Sequence, residues 1–425
     1  MKIAVIGTGI SGNVAAYHLA REHQVTVFEA DDRIGGHTNT VDVEYGGRNY
    51  AVDTGFIVFN QRTYPNFIAL LDELGVDWQD SDMSFSVQHE GTGLEYKGST
   101  LNTLFAQRSN LFRPSFYRMI QDILRFNREA PKLLQAGATT QSLEAFLADG
   151  HYSEEFINHF VLPMGAAIWS ANPDIIRKMP AQFFVRFFHN HDMLSVNDRP
   201  TWRVIKGGSN QYVDPLVAGH RDCIRLNSPV ESVQRKPGFV EIKARNAEAE
   251  RFDQVFIACH ADQALKMITD PSSRESAILG AFSYQLNEAI LHTDETVMPQ
   301  QKRAWAAWNY HIPDSSNDRV AVTYNMNILQ GIDSPVQFCV SLNHDRAIHE
   351  NRIIRRIQYS HPVFTPEAVT AQKQHSFING DQRTYFCGAY WRNGFHEDGV
   401  VSALAALKHF KESLRYEERN IRRTA

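Results

Sequence analysis

The first 29 residues restrict what this chain can become more than any other stretch. Met1 to Ile6 is a short apolar run that leads straight into Gly7-Thr-Gly9-Ile-Ser-Gly12. A helical segment from Asn13 to Arg21 follows, then a second apolar run, Val25-Thr-Val-Phe28, that ends on Glu29. Strand, glycine turn, helix, strand and acid in this order and at these distances form a dinucleotide-binding pattern. Gly7 permits the sharp turn, Gly9 lets backbone approach a diphosphate, and Gly12 lets the helix lie close to the strand. The first N–H groups of the helix then offer donors and partial positive charge to phosphates. Glu29 is placed to accept hydrogen bonds from a ribose hydroxyl.

Length and charge set the outer limits. The chain has 425 residues, which predicts two or three domains. Its net charge of -5 argues against nucleic acid as a partner. The four cysteines, Cys223, Cys259, Cys339 and Cys387, form no CxxC pair. They read as reduced thiols of a cytoplasmic protein, with neither a metal site nor a disulfide framework. No signal peptide is expected, and no run of about 18 apolar residues would span a membrane. The 26 phenylalanines hint at a large apolar cavity or a lipid-facing surface, although a Phe-rich core would use them as well.

Past Glu29, Ala30-Asp-Asp-Arg33-Ile34-Gly35-Gly36-His37-Thr38 adds a second glycine pair that an NAD site does not need. A chain passing close beside the far half of a longer cofactor does need it. Gly47 to Ile57 reads as a strand ending in a turn at Gly55, Tyr64 to Leu74 as an amphipathic helix, and Phe85 to His89 with Leu94 to Tyr96 as the start of an antiparallel pattern. These are the first part of a nucleotide domain (residues 1–100).

Residues 101–200 turn helical. Arg113 to Leu134 interleaves Arg113, Arg118, Arg125, Arg128 and Lys132 with apolar and aromatic residues. Such a helix can lie on an anionic membrane, which would make the protein peripheral on the inner membrane face; an ordinary domain-surface helix is the plainer reading. Residues 201–282 return to the nucleotide domain through strands at Val230, Phe239 and Phe252 to His260. Residues 283–380 alternate with period two, as an antiparallel sheet with one buried face does. Residues 381–425 close the nucleotide domain: Thr384 to Gly388 is a strand that breaks, and Asn393-Gly-Phe-His-Glu-Asp398-Gly399-Val400 opens a helix from Val401 to Phe410, followed by a mixed-charge tail from Lys408 to Arg423. The expected class is α/β (α+β overall), a Rossmann-like domain carrying an inserted substrate domain of antiparallel sheet plus helices.

With these blocks in order, the chain resembles the FAD-containing amine oxidase, protoporphyrinogen oxidase and phytoene desaturase superfamily over nearly its whole length. Leu162 to Ser170, Trp308-Asn-Tyr310 and Gly394 to Gly399 further resemble a bacterial subgroup associated with cyclopropane-fatty-acid-synthase-like methyltransferases. The resemblance implies that Gly7, Gly9, Ser11, Gly12, Glu29 and Ala30 hold the ADP half of FAD. It implies that Arg33, Gly35, Gly36, His37 and Thr38 follow the diphosphate and ribityl chain, and that Gly55, Phe56 and Ile57 approach the flavin. The backbone of Val230 would meet the adenine, and Gly388, Asp398, Gly399 and Val400 would close over the flavin end. Two features depart from amine oxidases: Phe395 stands where they commonly place a tyrosine, and Glu288 to Asp294 supplies no counterpart to their lysine. Cys387 is not where a covalent flavin link falls, so FAD is expected to be non-covalent.

The implied activity is a FAD-dependent oxidoreductase, a desaturase or dehydrogenase of lipid acyl chains with hydride transfer to flavin N5. A flavin amine or amino-acid oxidase, a non-redox flavin-dependent isomerase and a FAD-bound protein without turnover are the alternatives. The substrate partner is a lipid or hydrophobic small molecule. Candidates for proton transfer are His292, His396 and Tyr310, since imidazole titrates near neutrality. Nothing in the sequence bears on oligomeric state.

Overall fold

A computed structural model describes residues 1–135, 137, 139–195, 200–313, 321–344 and 348–424, with side chains to Tyr416. Apolar β-branched runs build a five-stranded parallel sheet in the order Ile224–Arg225, Gln24–Phe28, Lys2–Ile6, Gln254–Ile257 and Thr384–Phe386. Both faces of this sheet are covered, so the strands carry near-continuous apolar residues without alternation. The chain leaves Lys2–Ile6 toward Gln24–Phe28 on one side, and Gln254–Ile257 flanks it on the other. The carboxyl end between them is the switch point where open α/β sheets bind ligands.

Two sequence expectations need correction here. Phe252 to His260 is not one strand. Asp253 interrupts it: its carboxylate accepts from the Lys2 N–H at 2.7 Å and its own N–H donates to the Lys2 carbonyl at 2.7 Å. The chain thereby leaves an antiparallel meander (Val230–Lys236, Phe239–Ala244, Glu250–Phe252) and enters the parallel sheet. The closing helix begins at His396, not Val401, and runs to Thr424. Asp398 allows the early start by accepting from the N–H groups of Asn393 and Phe395 at 3.2 and 3.0 Å.

Beside this core stands a seven-stranded sheet roofed by helices. Its order is Ile353–Val363, Ser283–His292, Cys339–Leu342, Ala321–Asn325, Trp308–Ile312, Phe85–His89 and Leu94–Lys97. Two of these strands come from the first hundred residues, and Phe85–His89 pairs parallel with Trp308–Ile312 where all other neighbours are antiparallel. Residue 320, which opens one expected strand, lies outside the described residues.

Among the helices, Leu162–Trp169 continues a π-helical turn, Ile157–Val161. Pro163 carries no N–H to donate to an earlier carbonyl, which accounts for the widened turn beside it. Phe160, Met164 and Ile168 follow at i, i+4 spacing and share one face.

A polar cluster ties the strands Thr40–Tyr45 and Arg48–Asp53 to the segments at Ser209 and Gln330. Asp53, wholly buried, accepts from Thr40 Oγ1 at 2.6 Å, Ser209 N at 2.8 Å, Ser209 Oγ at 2.8 Å and Gln330 Nε2 at 2.9 Å. Burial nevertheless pushes its carboxyl up to about 6.

Candidate active site

The carboxyl ends of the parallel strands open onto one continuous cavity of about 1350 Å³. That exceeds the roughly 300–1,000 Å³ of a cleft holding one drug-sized ligand, and leaves room for two occupants. Its two ends differ in chemistry.

The first end is built from backbone. Of the residues singled out from the sequence, Gly7, Gly9, Ser11, Glu29 and Ala30 line it, then Gly36 and His37, Gly55, Phe56 and Ile57, with Val230, Gly388 and His396. Gly9 caps the helix Ile10–Leu19 without any side-chain bond to its first N–H groups, and a Cβ there would meet nothing within 4 Å. Gly12 works one layer back: its Cβ would stand 1.9 Å from the Gly7 carbonyl oxygen. Gly399 does the same for the closing helix, with Ile10 Cγ2 2.6 Å from its would-be Cβ, while Ser11 Oγ donates to the Gly399 carbonyl at 3.0 Å. Glu29 accepts from the Thr8 N–H at 2.8 Å and the Asp31 N–H at 2.9 Å, which points its carboxylate across the glycine turn.

Gly35, Arg33, Thr38, Asp398 and Val400 do not line the cavity. Gly35 holds a left-handed φ of +131° that turns the chain there. Arg33 donates to the Gly36 and Thr38 carbonyls at 2.7 and 3.0 Å, Thr38 packs behind His396, and Asp398 caps the closing helix. They shape the wall without presenting a group to an occupant.

The second end is built from side chains of the helical roof and the large sheet. Met83, Phe85, Phe160, Met164, Ile168 and Trp169 form much of it, with Phe187 packed on Trp169 at 4.8 Å and with Phe364 and Phe395. Asp192 is the one acidic side chain lining this end among the described residues, and it is paired with Arg62.

The sequence candidates for proton transfer separate in this frame. His292 is fully buried in the sheet, bonded to Ser341 Oγ at 2.8 Å and to the Asp294 N–H at 3.1 Å, and does not line the cavity. Tyr310 is buried in the same sheet, also away from the cavity. His396 does reach the wall, but its Nε2 lies 3.0 Å from Thr38 Oγ1 and 2.9 Å from Tyr212 OH, and its ring stacks on Phe56 at 3.5 Å. Burial pulls its pKa down to about 3.

His191 was not anticipated. It lines the second end, stacks on Phe187 at 3.9 Å and has its Nδ1 2.9 Å from the Phe187 carbonyl oxygen. A carbonyl only accepts, so Nδ1 carries the proton and Nε2 is the bare base. Desolvation lowers its pKa to about 4. Its i+4 spacing from Phe187 was the only sequence sign, and any helical histidine shares it.

A family profile described as flavin containing amine oxidoreductase matches residues 10–329. The chain belongs to that family. Within the family it is 28% identical over 176 residues to protoporphyrinogen oxidase 2, chloroplastic/mitochondrial, of Arabidopsis thaliana, covering 41% of this chain and 33% of that protein. It is 23% identical over 274 residues to the putative flavin-containing monoamine oxidase AofH of Mycobacterium tuberculosis (strain CDC 1551 / Oshkosh), covering 58% and 54%. The matches thus span about a third to a half of the length of these curated relatives. In fold, cyclohexylamine oxidase from Brevibacterium oxydans IH-35A superposes with a TM-score of 0.70 at 16% identity, over 97% of this chain and 99% of that one. A CLA-producing fatty acid isomerase from P. acnes does so at 0.67 and 15%, over 96% and 98%.

Membership in this flavin-containing family implies FAD as cofactor. The residues present fit it: a glycine turn with an open Gly9, unspent helix N–H groups, an acid beyond the second strand, and one cavity running on to Phe56 and Phe395. Cys387 is buried behind the wall and Cys259 lies near the nucleotide turn.

Proposed function

We propose that this oxidoreductase dehydrogenates the acyl chain of a lipid or comparable hydrophobic substrate. The observation that carries the reading is the apolar second end, walled by Phe160, Met164, Ile168, Trp169, Phe187 and Phe395. An amine substrate would call for a carboxylate or a polar cage to hold an ammonium group, and Asp192 is already paired with Arg62. An alkyl chain offers no handles, so a long apolar tunnel must do the orienting. Bound FAD supplies the hydride acceptor. The chain supplies position and a proton acceptor, and His191 Nε2 is the group in the apolar end able to take the second hydrogen as a proton. Exclusion of water by the aromatic wall protects the reacting carbon and strengthens the polar contacts inside.

The fatty acid isomerase among the structural neighbours favours a second reading on the same cavity, redox-neutral movement of a double bond. The two diverge in one measurement. Under anaerobic conditions a desaturase substrate bleaches the flavin stoichiometrically, whereas an isomerase substrate turns over with the flavin absorbance unchanged. Lipid extracts assayed this way, with product mass spectra, test both. Flavin bleached by simple amines and not by any lipid fraction overturns the acyl-chain proposal.

A lipid substrate also needs a way in. Gly98 is exposed and lines the cavity, and it adjoins Leu101, 77% exposed, with Phe112 86% exposed nearby in the chain. Arg108 and Arg113, held by donation to the Asn102, Phe105 and Thr92 carbonyls, add positive charge beside these residues, which suits an anionic bilayer surface. Arg125, expected to face lipid, is instead turned toward Asp122 and the Gly150 and His151 carbonyls. Sedimentation with anionic vesicles at low salt, lost in the double variant L101D/F112D, is the expected result; no binding by the parent removes the membrane contact.

A further inference from the structure

A bound diphosphate needs donors or positive charge beside it. The resemblance assigns that task partly to Arg33, but its guanidinium is spent on the carbonyls of Gly36 and Thr38 and does not line the cavity. The cationic side chains that do line it, Arg245 and Lys266, belong to its Val230 end, and Arg245 pairs with Glu231 at 3.2 Å. Among the described residues no lysine or arginine lines the cavity at Gly7–Ser11.

Three imidazoles line the same cavity as that turn. His37 follows Gly36, whose would-be Cβ stands 3.0 Å from Gly9 Cα. His260 follows the strand Gln254–Ile257, where the Ala258 carbonyl oxygen is 2.9 Å from the would-be Cβ of Gly7. His361 comes from the seven-stranded sheet, on Ile353–Val363. All three line the cavity, with ring centroids 5.4 Å apart for His37 and His361 and 6.2 Å apart for His37 and His260. Tyr359 stacks on His37 at 5.0 Å and Tyr284 on His260 at 4.4 Å, which fixes both rings.

The polar network behind His361 sets its tautomer. Asn287 Oδ1 accepts from Asn343 Nδ2 at 2.8 Å and from Gln285 Nε2 at 3.0 Å, so its amide NH₂ is the group turned to His361 Nδ1, 2.7 Å away. Nδ1 therefore accepts, and Nε2 carries the proton. The trio is not a metal site: no cluster of His, Cys, Asp or Glu among the described residues has the geometry for one.

We propose that His37, His260 and His361 clamp the FAD diphosphate and take up protons as the cofactor binds. The inference rests on FAD as the cofactor and is independent of the acyl-chain reading. Burial holds all three below the usual histidine range, His361 at about 4, and repulsion from neighbouring imidazoles adds to it for His37 and His361. Arg33 and His396 also push His37 down, while Asp262 pulls His260 up. Glu29, Asp31, the Cys259 thiol and the Tyr284 and Tyr359 phenols line the same cavity as the trio. A diphosphate raises all three imidazoles. Affinity for FAD is then greatest at low pH and falls as pH rises from the values of the free protein through the raised values of the complex.

The test is the release of FAD from diluted holoenzyme, read by flavin fluorescence between about pH 5.5 and about pH 8.5. The expected result is a Kd that rises at least about tenfold across that range, since each proton taken up contributes about tenfold per pH unit where it titrates. Calorimetry of FAD rebinding in buffers of different ionisation enthalpy should show net proton uptake. H260Q and H361Q, whose amides still donate but cannot charge, should flatten the profile and lower the uptake. A pH-independent Kd, absence of proton uptake, or an H260Q/H361Q double variant that keeps the parental profile overturns the proposal. The calorimetry on the parent protein decides the matter even where a variant fails to fold.

Discussion

The two ends of the cavity are made in opposite ways. The nucleotide end is built around backbone: glycines and helix N–H groups from a few short consecutive stretches, with Glu29 and the imidazoles of His37, His260 and His361 set beside them. The apolar end is side chain: phenylalanines, methionines and tryptophan from the helical roof, both parts of the large sheet and the turn before the closing helix. Backbone sites tolerate almost no substitution, because an added Cβ lands on neighbouring main chain, as at Gly12, or in the space left for the cofactor, as at Gly9. Side-chain sites tolerate volume-conserving exchange and respond to polarity. The difference teaches where specificity resides: cofactor choice is set by steric exclusion, substrate choice by the chemistry of a wall.

That contrast can be broken, and the hardest blow falls on the backbone. Gly12→Val would drive a side chain into the Gly7 carbonyl 1.9 Å from its Cβ, and the expected product is protein purified without flavin absorbance and with a lowered Tm. Gly9→Ala is the sharper version. Its Cβ meets no protein atom within 4 Å, so the Tm of the apoprotein should hold while FAD affinity falls by about tenfold or more, because the methyl occupies cofactor space.

At the apolar end His191→Gln should leave FAD binding intact and slow substrate-driven flavin reduction by about 10²–10⁴-fold, the range for loss of a general base. The parent should lose activity as pH falls through about 4, where His191 Nε2 is protonated; an unchanged rate in the variant removes His191 from the chemistry. Met164→Glu should retain FAD and abolish turnover of an apolar substrate, because a charge in that wall costs several kcal/mol to desolvate; full activity would contradict an acyl substrate.

The smallest expected effect is on stability. His191, His292 and His375 are each held at about 4 by burial, below the ordinary 6.5. The unfolded chain binds their protons first, so Tm should hold above about pH 6.5 and decline as pH falls toward about 4. His292→Gln should make the decline shallower without touching FAD or turnover; a variant that loses turnover would return His292 to the chemistry.

Much of the nucleotide end was legible before folding. Gly7, Gly9, Glu29, Gly36 and Gly55 line the cavity because turns, close approach and packing leave those positions little choice. Arg33 and Asp398 were assigned from the resemblance to the diphosphate and to the flavin end, but each is used up by backbone groups of its own loop. His292 and Tyr310 misled because period-two alternation tells which face of a strand is buried, not whether that face meets a cavity or another layer. His191, His260 and His361 gave no local sign, since an isolated histidine in a helix, after a strand or in a strand looks the same whatever it faces.

By itself the chain's sequence determined the parallel nucleotide-binding core and its cofactor class, because those depend on local backbone geometry that only glycine, a helix start and a strand can satisfy. Only the tertiary structure decided which imidazoles share a wall and which aromatic side chains close the far end, because those neighbours lie in segments from Gly36 to His396 that nothing but the packed fold brings together.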